Sequence, residues 1–237
     1  MICGTANISD KGERMYFQFL IEDGSTKILI DHVMGKLRAQ NPDRSIEYDS
    51  KSFAGIGHLS TTGEVRERKG SGLLNNLPLY LRGIDKSLRN MGGKAAIVVV
   101  LDNDLRDPKK FQEQLEDEAD KLCLSTDHFF CIAVREMEAW LLGDSAAILA
   151  AYPLARLQQL KRYPQDGPCE TWQTLANVVY PGGMDGLKKK ARTSYTEIAN
   201  AKEAWADKIG SRLDLDQNKS PSFQRMLHEL RSRIEAE

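Results

Sequence analysis

Five carboxylates stand directly after three apolar stretches of the chain, where they could hold divalent metal ions. They are Glu22, Asp102, Asp104, Glu136 and Glu138. Carboxylate oxygens are the preferred ligands of Mg²⁺ and Mn²⁺, and Mg²⁺ combines only a few protein carboxylates with waters and substrate phosphates. Asp-x-Asp in a tight turn, or Glu-x-Glu where a strand passes into a helix, can bring both side chains to one ion. The set is large enough for two metal ions, with Glu136 and Glu138 as the ligands of the second.

A structural explanation of the same acids stays open. Asp and Asn favour turns and helix caps, so Asp102-Asn-Asp104 is weak evidence by itself. Asp23 fits either a metal ligand or a cap, Ser25 or Thr26 can cap the segment that follows, and Asp144 is best explained as a helix cap. Acids clustered at one edge repel one another unless a cation is present, and the joint pattern therefore favours a metal site.

Three apolar segments must position these acids. The segments are 14–21, 95–101 and 128–134, with a shorter candidate strand at 45–48. Runs that are apolar on both faces, separated by helical periodicity, predict an α/β fold with a mostly parallel sheet flanked by helices. Ligand sites in such sheets form outside the carboxyl ends of the strands, which is where the acids stand.

The second part of the chain has a different sequence pattern. After Asp144 it shows helical pieces punctuated by prolines and no convincing strand. We therefore predict an α/β core at 1–144 and a C-terminal helical extension at 145–237 packed on that core.

Four motifs carry a family resemblance over nearly the whole chain: Ile21–Thr26, Val98–Leu105, Ala133–Asp144 and Ser220–Phe223. A strand ending in Glu, a later strand ending in Asp-x-Asp and a third acidic element resemble the Toprim fold of topoisomerases, primases and overcoming-lysogenization-defect nucleases. The chain is most similar to small bacterial Toprim-like proteins of unknown function, often encoded beside ATPases in genome-defence loci.

The resemblance implies roles for individual residues. Glu22 would bind metal or move a proton, and Asp102 and Asp104 would bind Mg²⁺ or Mn²⁺, which makes these three the catalytic candidates. One departure is Lys27, which stands where relatives often carry a second acid after the glycine.

Nucleic-acid binding would have to come from local patches, because the formal net charge is −1. A glycine-rich stretch and a later lysine run supply cations that can contact a phosphate backbone without reading bases. Solvated surface lysines are the competing explanation. The candidates are Arg66, Arg68, Lys69, Lys188, Lys189, Lys190 and Arg192.

The expected function is a divalent-metal-dependent nuclease that hydrolyses phosphodiesters, with DNA favoured over RNA, as the effector of a bacterial defence system. An ATPase partner is expected from the resemblance, and a homodimer would let two sites act on two strands. The alternative is a non-catalytic Toprim-like subunit that docks an ATPase or nucleic acid. The chain has neither an apolar run long enough to cross a bilayer nor a disulfide pattern, so we expect a cytoplasmic protein without membrane contact.

Overall fold

A parallel sheet forms the centre of the part of the chain that the structure describes. The computed structural model describes residues 14–59, 72–167, 170–192 and 194–236. Its strands pair in the order β2-β1-β3-β4, all parallel. The strands are β1 Met15–Ile21, β2 Ile46–Ser52, β3 Lys94–Asp102 and β4 Asp127–Ala133. The α/β class predicted from the sequence is confirmed.

Helices cover both faces of this sheet and continue beyond it. Among the described residues after 144, all regular structure is helical, as expected for the extension. A 3₁₀ helix, Leu73–Asn76, leads into the second α-helix. The α-helices are α1 Gly24–Gln40, α2 Leu77–Leu88, α3 Pro108–Asp120, α4 Glu138–Leu142, α5 Ser145–Ala151, α6 Leu157–Leu160, α7 Thr171–Val179, α8 Gly183–Ala191, α9 Thr196–Gly210 and α10 Pro221–Glu235.

The two faces of the sheet build two hydrophobic clusters. Successive side chains of a strand point to opposite faces, so Val98 and Val100 join one cluster while Ile97 and Val99 join the other. The first cluster is continuous with buried residues of α1, α9 and α10, and the second with residues of α2 and α3. A strand buried on both faces explains the uninterrupted apolar run at 95–101.

The C-terminal helices are an integral part of the first cluster. Helix α9 packs along α1, with Trp205 and Ile209 buried. Helix α10 packs on the edge strand β4, where Arg233 pairs with Asp127 at 2.6 Å and its guanidinium lies 4.1 Å from the Phe129 ring centroid. The extension therefore shares its core with the sheet.

Helix caps decide where several of these elements begin. Asp23, not Ser25 or Thr26, caps α1: its carboxylate accepts hydrogen bonds from the Thr26 N–H at 2.7 Å and the Ser25 hydroxyl at 3.0 Å. The prediction of a Ser25 or Thr26 cap was wrong because the helix begins at Gly24, one residue before Ser25. The cap predicted at Asp144 is confirmed by its 2.9 Å bond from the Ala147 N–H.

A buried carboxylate ties α2 to the start of β4. Asp85 is 2% exposed and accepts hydrogen bonds from the guanidinium of Arg89 and from the N–H groups of Ser125 and Thr126. Burial alone would raise the pKa of Asp85, but these bonds hold it well below its ordinary value. Asp85 thus stays charged and joins two segments distant in sequence.

None of the helices in the described segments is both long and apolar enough to span a bilayer.

Candidate metal centre

The topology places two of the predicted acids side by side. The chain moves from β1 to β2 in one direction and from β3 to β4 in the other, so the sheet reverses its strand order between β1 and β3. Ligands of open α/β sheets bind outside the carboxyl ends at such a switch point. Glu22 follows β1 and Asp102 ends β3, and Oε2 of Glu22 accepts a hydrogen bond from the Asp102 N–H at 2.9 Å.

The loops after β3 and β4 are locked to each other beside this pair. The N–H of Asp104 donates to the Arg135 carbonyl at 3.1 Å, and the Arg135 guanidinium donates to the Asp104 carbonyl at 2.9 Å. Asp104 and Arg135 adopt left-handed backbone conformations, with φ of 50° and 72°. Such conformations are costly for residues other than glycine, and they cluster at functional sites. The surrounding hydrogen bonds hold them in place.

A third carboxylate enters from the start of α4. Glu138 is completely buried, and neither of its carboxylate oxygens accepts a hydrogen bond from the described residues. Helix α4 is held by the segment at 218–222, because the Trp140 indole donates to Ser222 at 2.9 Å and the Asn218 amide donates to the Trp140 carbonyl at 2.7 Å. The motif at Ser220–Phe223 therefore fixes the helix that carries Glu138.

The cation of this centre was missed from the sequence. Lys202, on α9, places its Nζ 3.2 Å from Oε1 of Glu138, and its side chain is only 19% exposed. The two groups form an ion pair without the geometry of a hydrogen bond. Burial alone would lower the pKa of Lys202, but Glu138 and Asp102 raise it well above its ordinary value. The sequence feature that could have indicated a buried lysine is its spacing: Lys202 stands four residues after Ile198 and three before Trp205, on the apolar face of α9.

The acids of the centre bind protons more strongly than ordinary carboxyls. Burial and the charges of Asp23 and Asp104 together raise the pKa of Glu22 to about 7, while the Asp102 N–H and Lys202 oppose them. Burial also raises the pKa of Glu138 to about 7 in spite of Lys202. The pKa of Asp102 is raised by burial and by Glu22. Negative charge in the centre is therefore incompletely compensated.

Two other predicted ligands have protein partners of their own. Asp104 has a half-exposed side chain that pairs with Arg106 at 3.0 Å. Glu136 accepts hydrogen bonds from the Thr171 hydroxyl at 2.6 Å and the Trp172 N–H at 3.1 Å, at the start of α7. Both carboxylates still influence the centre electrostatically, since Asp104 raises the pKa of Glu22 and Glu136 raises that of Glu138. The two glutamates of Glu-x-Glu thus have different partners: the start of α7 for Glu136 and Lys202 for Glu138.

The donor set fits a divalent cation that keeps part of its water shell. Within the described residues, no three His, Cys, Asp or Glu side chains form a ready-made metal cage. Glu22 and Asp102 supply hard oxygen donors close to each other, and the ion-paired Glu138 lies near enough to add its charge. Mg²⁺ needs only one or two protein carboxylates when waters and phosphates complete its shell. The residues present are compatible with such an ion.

The predicted nucleic-acid contacts divide into two groups. Arg66, Arg68 and Lys69 lie outside the described residues. The others are on or just after the last turn of α8 and are exposed; Lys190 pairs with Glu197 at 2.8 Å, and Lys188 lies 5.9 Å from the Trp172 ring centroid. Their contact with nucleic acid stays a prediction. These exposed residues are Lys188, Lys189, Lys190 and Arg192.

Fold and site together define an α/β protein with a buried acidic centre at the switch point of a parallel sheet. The family model described as a domain of unknown function, DUF4276, matches residues 21–231, so the chain belongs to this family. The matched segment includes every carboxylate of the centre and Lys202. No curated protein and no solved structure matches the chain.

Proposed function

We propose that this protein is a divalent-metal-dependent nuclease of the Toprim-like type, which hydrolyses phosphodiester bonds. The observation that carries the proposal is the cluster of Glu22, Asp102 and Glu138 at the switch point, which is largely shielded from solvent and only partly compensated by one ammonium group. Uncompensated buried carboxylates are costly, and they persist where they bind a cation or perform proton chemistry. A phosphodiester substrate would supply the oxygens that complete the shell of the cation.

Within this proposal the residues have distinct tasks. Glu22 and Asp102 would hold Mg²⁺ or Mn²⁺, with Asp104 next to them, and the ion would polarise the phosphoryl oxygen as a Lewis acid. Without a cation the pKa of Glu22 is about 7; a bound divalent cation would lower it and keep the carboxylate ionised, as the task of a ligand requires. Its bond from the Asp102 N–H orients one carboxylate oxygen and leaves the other for that task.

The substrate and the biological setting are parts of the same proposal. DNA is favoured over RNA, and the basic residues of α8, with Arg66, Arg68 and Lys69, would contact the sugar–phosphate backbone. The resemblance to Toprim-like proteins of defence loci supports an effector role beside an ATPase partner. A homodimer would offer two centres to the two strands of a duplex.

Cleavage assays test the proposal directly. Purified protein should convert supercoiled plasmid, linear duplex or single-stranded DNA to shorter products with Mn²⁺ or Mg²⁺, and EDTA should stop the reaction. Asp102→Asn should lower the rate by about 100-fold or more, because removing a metal ligand costs several kcal/mol of transition-state stabilisation. The matched control is Asp117→Asn on the exposed side of α3, which should cleave like the wild type. Equal rates for all three proteins would refute the assignment.

One observation favours a second candidate, a non-catalytic subunit that docks an ATPase. Lys202 already supplies a cation to the acidic centre, so the fold has a partial means of balancing its charge without metal. This alternative predicts that neither Mg²⁺ nor Mn²⁺ raises the melting temperature, and that Asp102→Asn leaves ATPase binding unchanged. A saturable rise in melting temperature that Asp102→Asn abolishes would decide for the metal-dependent enzyme.

A further inference from the structure

We infer that the Lys202–Glu138 ion pair takes the place of a second metal ion, so that the centre binds one divalent cation on the side of Glu22 and Asp102. The inference deepens the proposed function and rests on it. It differs from the expectation for Glu-x-Glu, in which Glu136 and Glu138 together hold a second ion. In this structure Glu138 is the counter-ion of a lysine, and its role is to position charge near the metal.

The partners of the two glutamates give the first argument. A second ion between Glu136 and Glu138 would need both carboxylates. Glu136 is already bound by the Thr171 hydroxyl and the Trp172 N–H at the start of α7. Glu138 faces the Lys202 ammonium at 3.2 Å, where an added divalent cation would meet a fixed positive charge. Both bonds to Glu136 end on its Oε2 and come from the start of α7, whereas Glu138 faces α9, so the structure gives the two carboxylates separate partners instead of one shared ion.

The packing of α9 gives the second argument, because it brings the Lys202 ammonium into the centre. The helix is anchored by Trp205, Ala206 and Ile209, all buried in the cluster that includes α1. Lys202 is only 19% exposed and its ammonium lies 3.2 Å from Oε1 of Glu138, so the docked helix carries a cation into the centre. The positive charge at this position is built into the fold.

The first test is the stoichiometry of Mn²⁺ binding to the full-length wild-type protein. Isothermal titration calorimetry at pH 8, after removal of metal with chelating resin, should give one equivalent, and electron paramagnetic resonance of free Mn²⁺ should give the same number. Two equivalents would overturn the inference and leave the proposed nuclease intact. Zero equivalents would overturn both.

The second test removes the ion pair as a unit. The double variant Glu138→Met with Lys202→Met replaces a buried pair by apolar side chains of similar size, a change that folds often tolerate. It should still bind one Mn²⁺, with a Kd within about threefold of the wild type, because the exchange leaves the net charge unchanged. Asp102→Asn should weaken binding by at least about tenfold, as expected for a lost ligand.

Controls separate a failed fold from a failed inference. Circular dichroism and the unfolding midpoint report whether the double variant is folded, and Lys208→Met, at an exposed lysine of the same helix, should leave Mn²⁺ binding unchanged. Loss of Mn²⁺ binding in a folded double variant would make Glu138 a metal ligand and overturn the inference. If the double variant does not fold, the stoichiometry of the wild type still decides.

Discussion

Replacing Glu22 by glutamine should stabilise the metal-free protein at alkaline pH while abolishing its response to metal. Burial raises the pKa of this carboxyl to about 7 from an ordinary value of 4.5. The folded state therefore binds more protons than the unfolded state between these two values, and stability falls as the pH rises through that window. Glutamine carries no charge and keeps an oxygen that can accept the Asp102 N–H.

The size of the effect follows from the same two values. A difference of one pKa unit corresponds to about 1.4 kcal/mol, so ionised Glu22 destabilises the fold by about 3 kcal/mol at pH 8. At pH 5 the folded carboxyl is protonated and the unfolded one is only partly ionised, which reduces the penalty to less than about 1 kcal/mol. Glu22→Gln should therefore gain about 3 kcal/mol at pH 8 and much less at pH 5.

Urea denaturation with EDTA at pH 5 and pH 8 measures both quantities. Glu113→Gln, at an exposed position of α3, is the matched control and should change stability by less than about 0.5 kcal/mol. Added Mn²⁺ should then stabilise the wild type and leave Glu22→Gln unchanged. A Glu22→Gln effect that is equal at the two pH values, or destabilising at pH 8, would show that burial of this charge is not what perturbs the carboxyl.

Three further substitutions test other contacts of the described structure. Asp85→Ala should lower the unfolding free energy by about 2–4 kcal/mol at neutral pH, because it leaves the donors of Arg89 and Ser125 without an acceptor. Since the pKa of Asp85 is lowered in the folded state, its contribution is present above its ordinary pKa and is lost as the pH falls. The difference from wild type in urea titrations should therefore shrink in acid. Asp23→Ala should lower the unfolding free energy by about 1 kcal/mol, because the α1 cap is lost. If this variant no longer bound its one equivalent of Mn²⁺, Asp23 would be a metal ligand instead. Glu136→Ala should lower the unfolding free energy by about 1–2 kcal/mol, because two hydrogen bonds are lost, and it should leave the Mn²⁺ stoichiometry unchanged. A fall in stoichiometry would contradict the assignment of the Glu136 carboxylate to α7.

The central strands and the Glu22–Asp102 pair could be predicted because they depend on local pattern and sheet geometry. The run at 95–101 is apolar on both faces, which identifies an inner parallel strand, and the carboxyl ends of neighbouring parallel strands lie at one edge. The residues that follow β1 and end β3 must then be neighbours. No knowledge of the helical packing was needed for this step.

The remaining features depend on tertiary structure that the spacing of residues does not encode. Lys202 enters the centre only because α9 packs along α1, and a single lysine on an apolar helix face does not reveal which acid it meets. Glu136 and Glu138 have separate partners because α4 begins at Glu138 and α7 lies beside Glu136. Asp104 pairs with Arg106 in a turn whose φ of 50° could not be inferred from sequence.

The origin of Lys202 in α9 also sets the order in which the centre can be assembled during translation. The acids from Glu22 to Glu138 leave the ribosome before α9 is made, and protein domains generally form from the N-terminal side as synthesis proceeds. A nascent chain that has folded only its sheet carries several carboxylates at one edge without their ammonium partner. The ion-paired centre therefore arises only after α9 has docked on α1, so a prematurely terminated polypeptide that ends before α9 would lack the lysine.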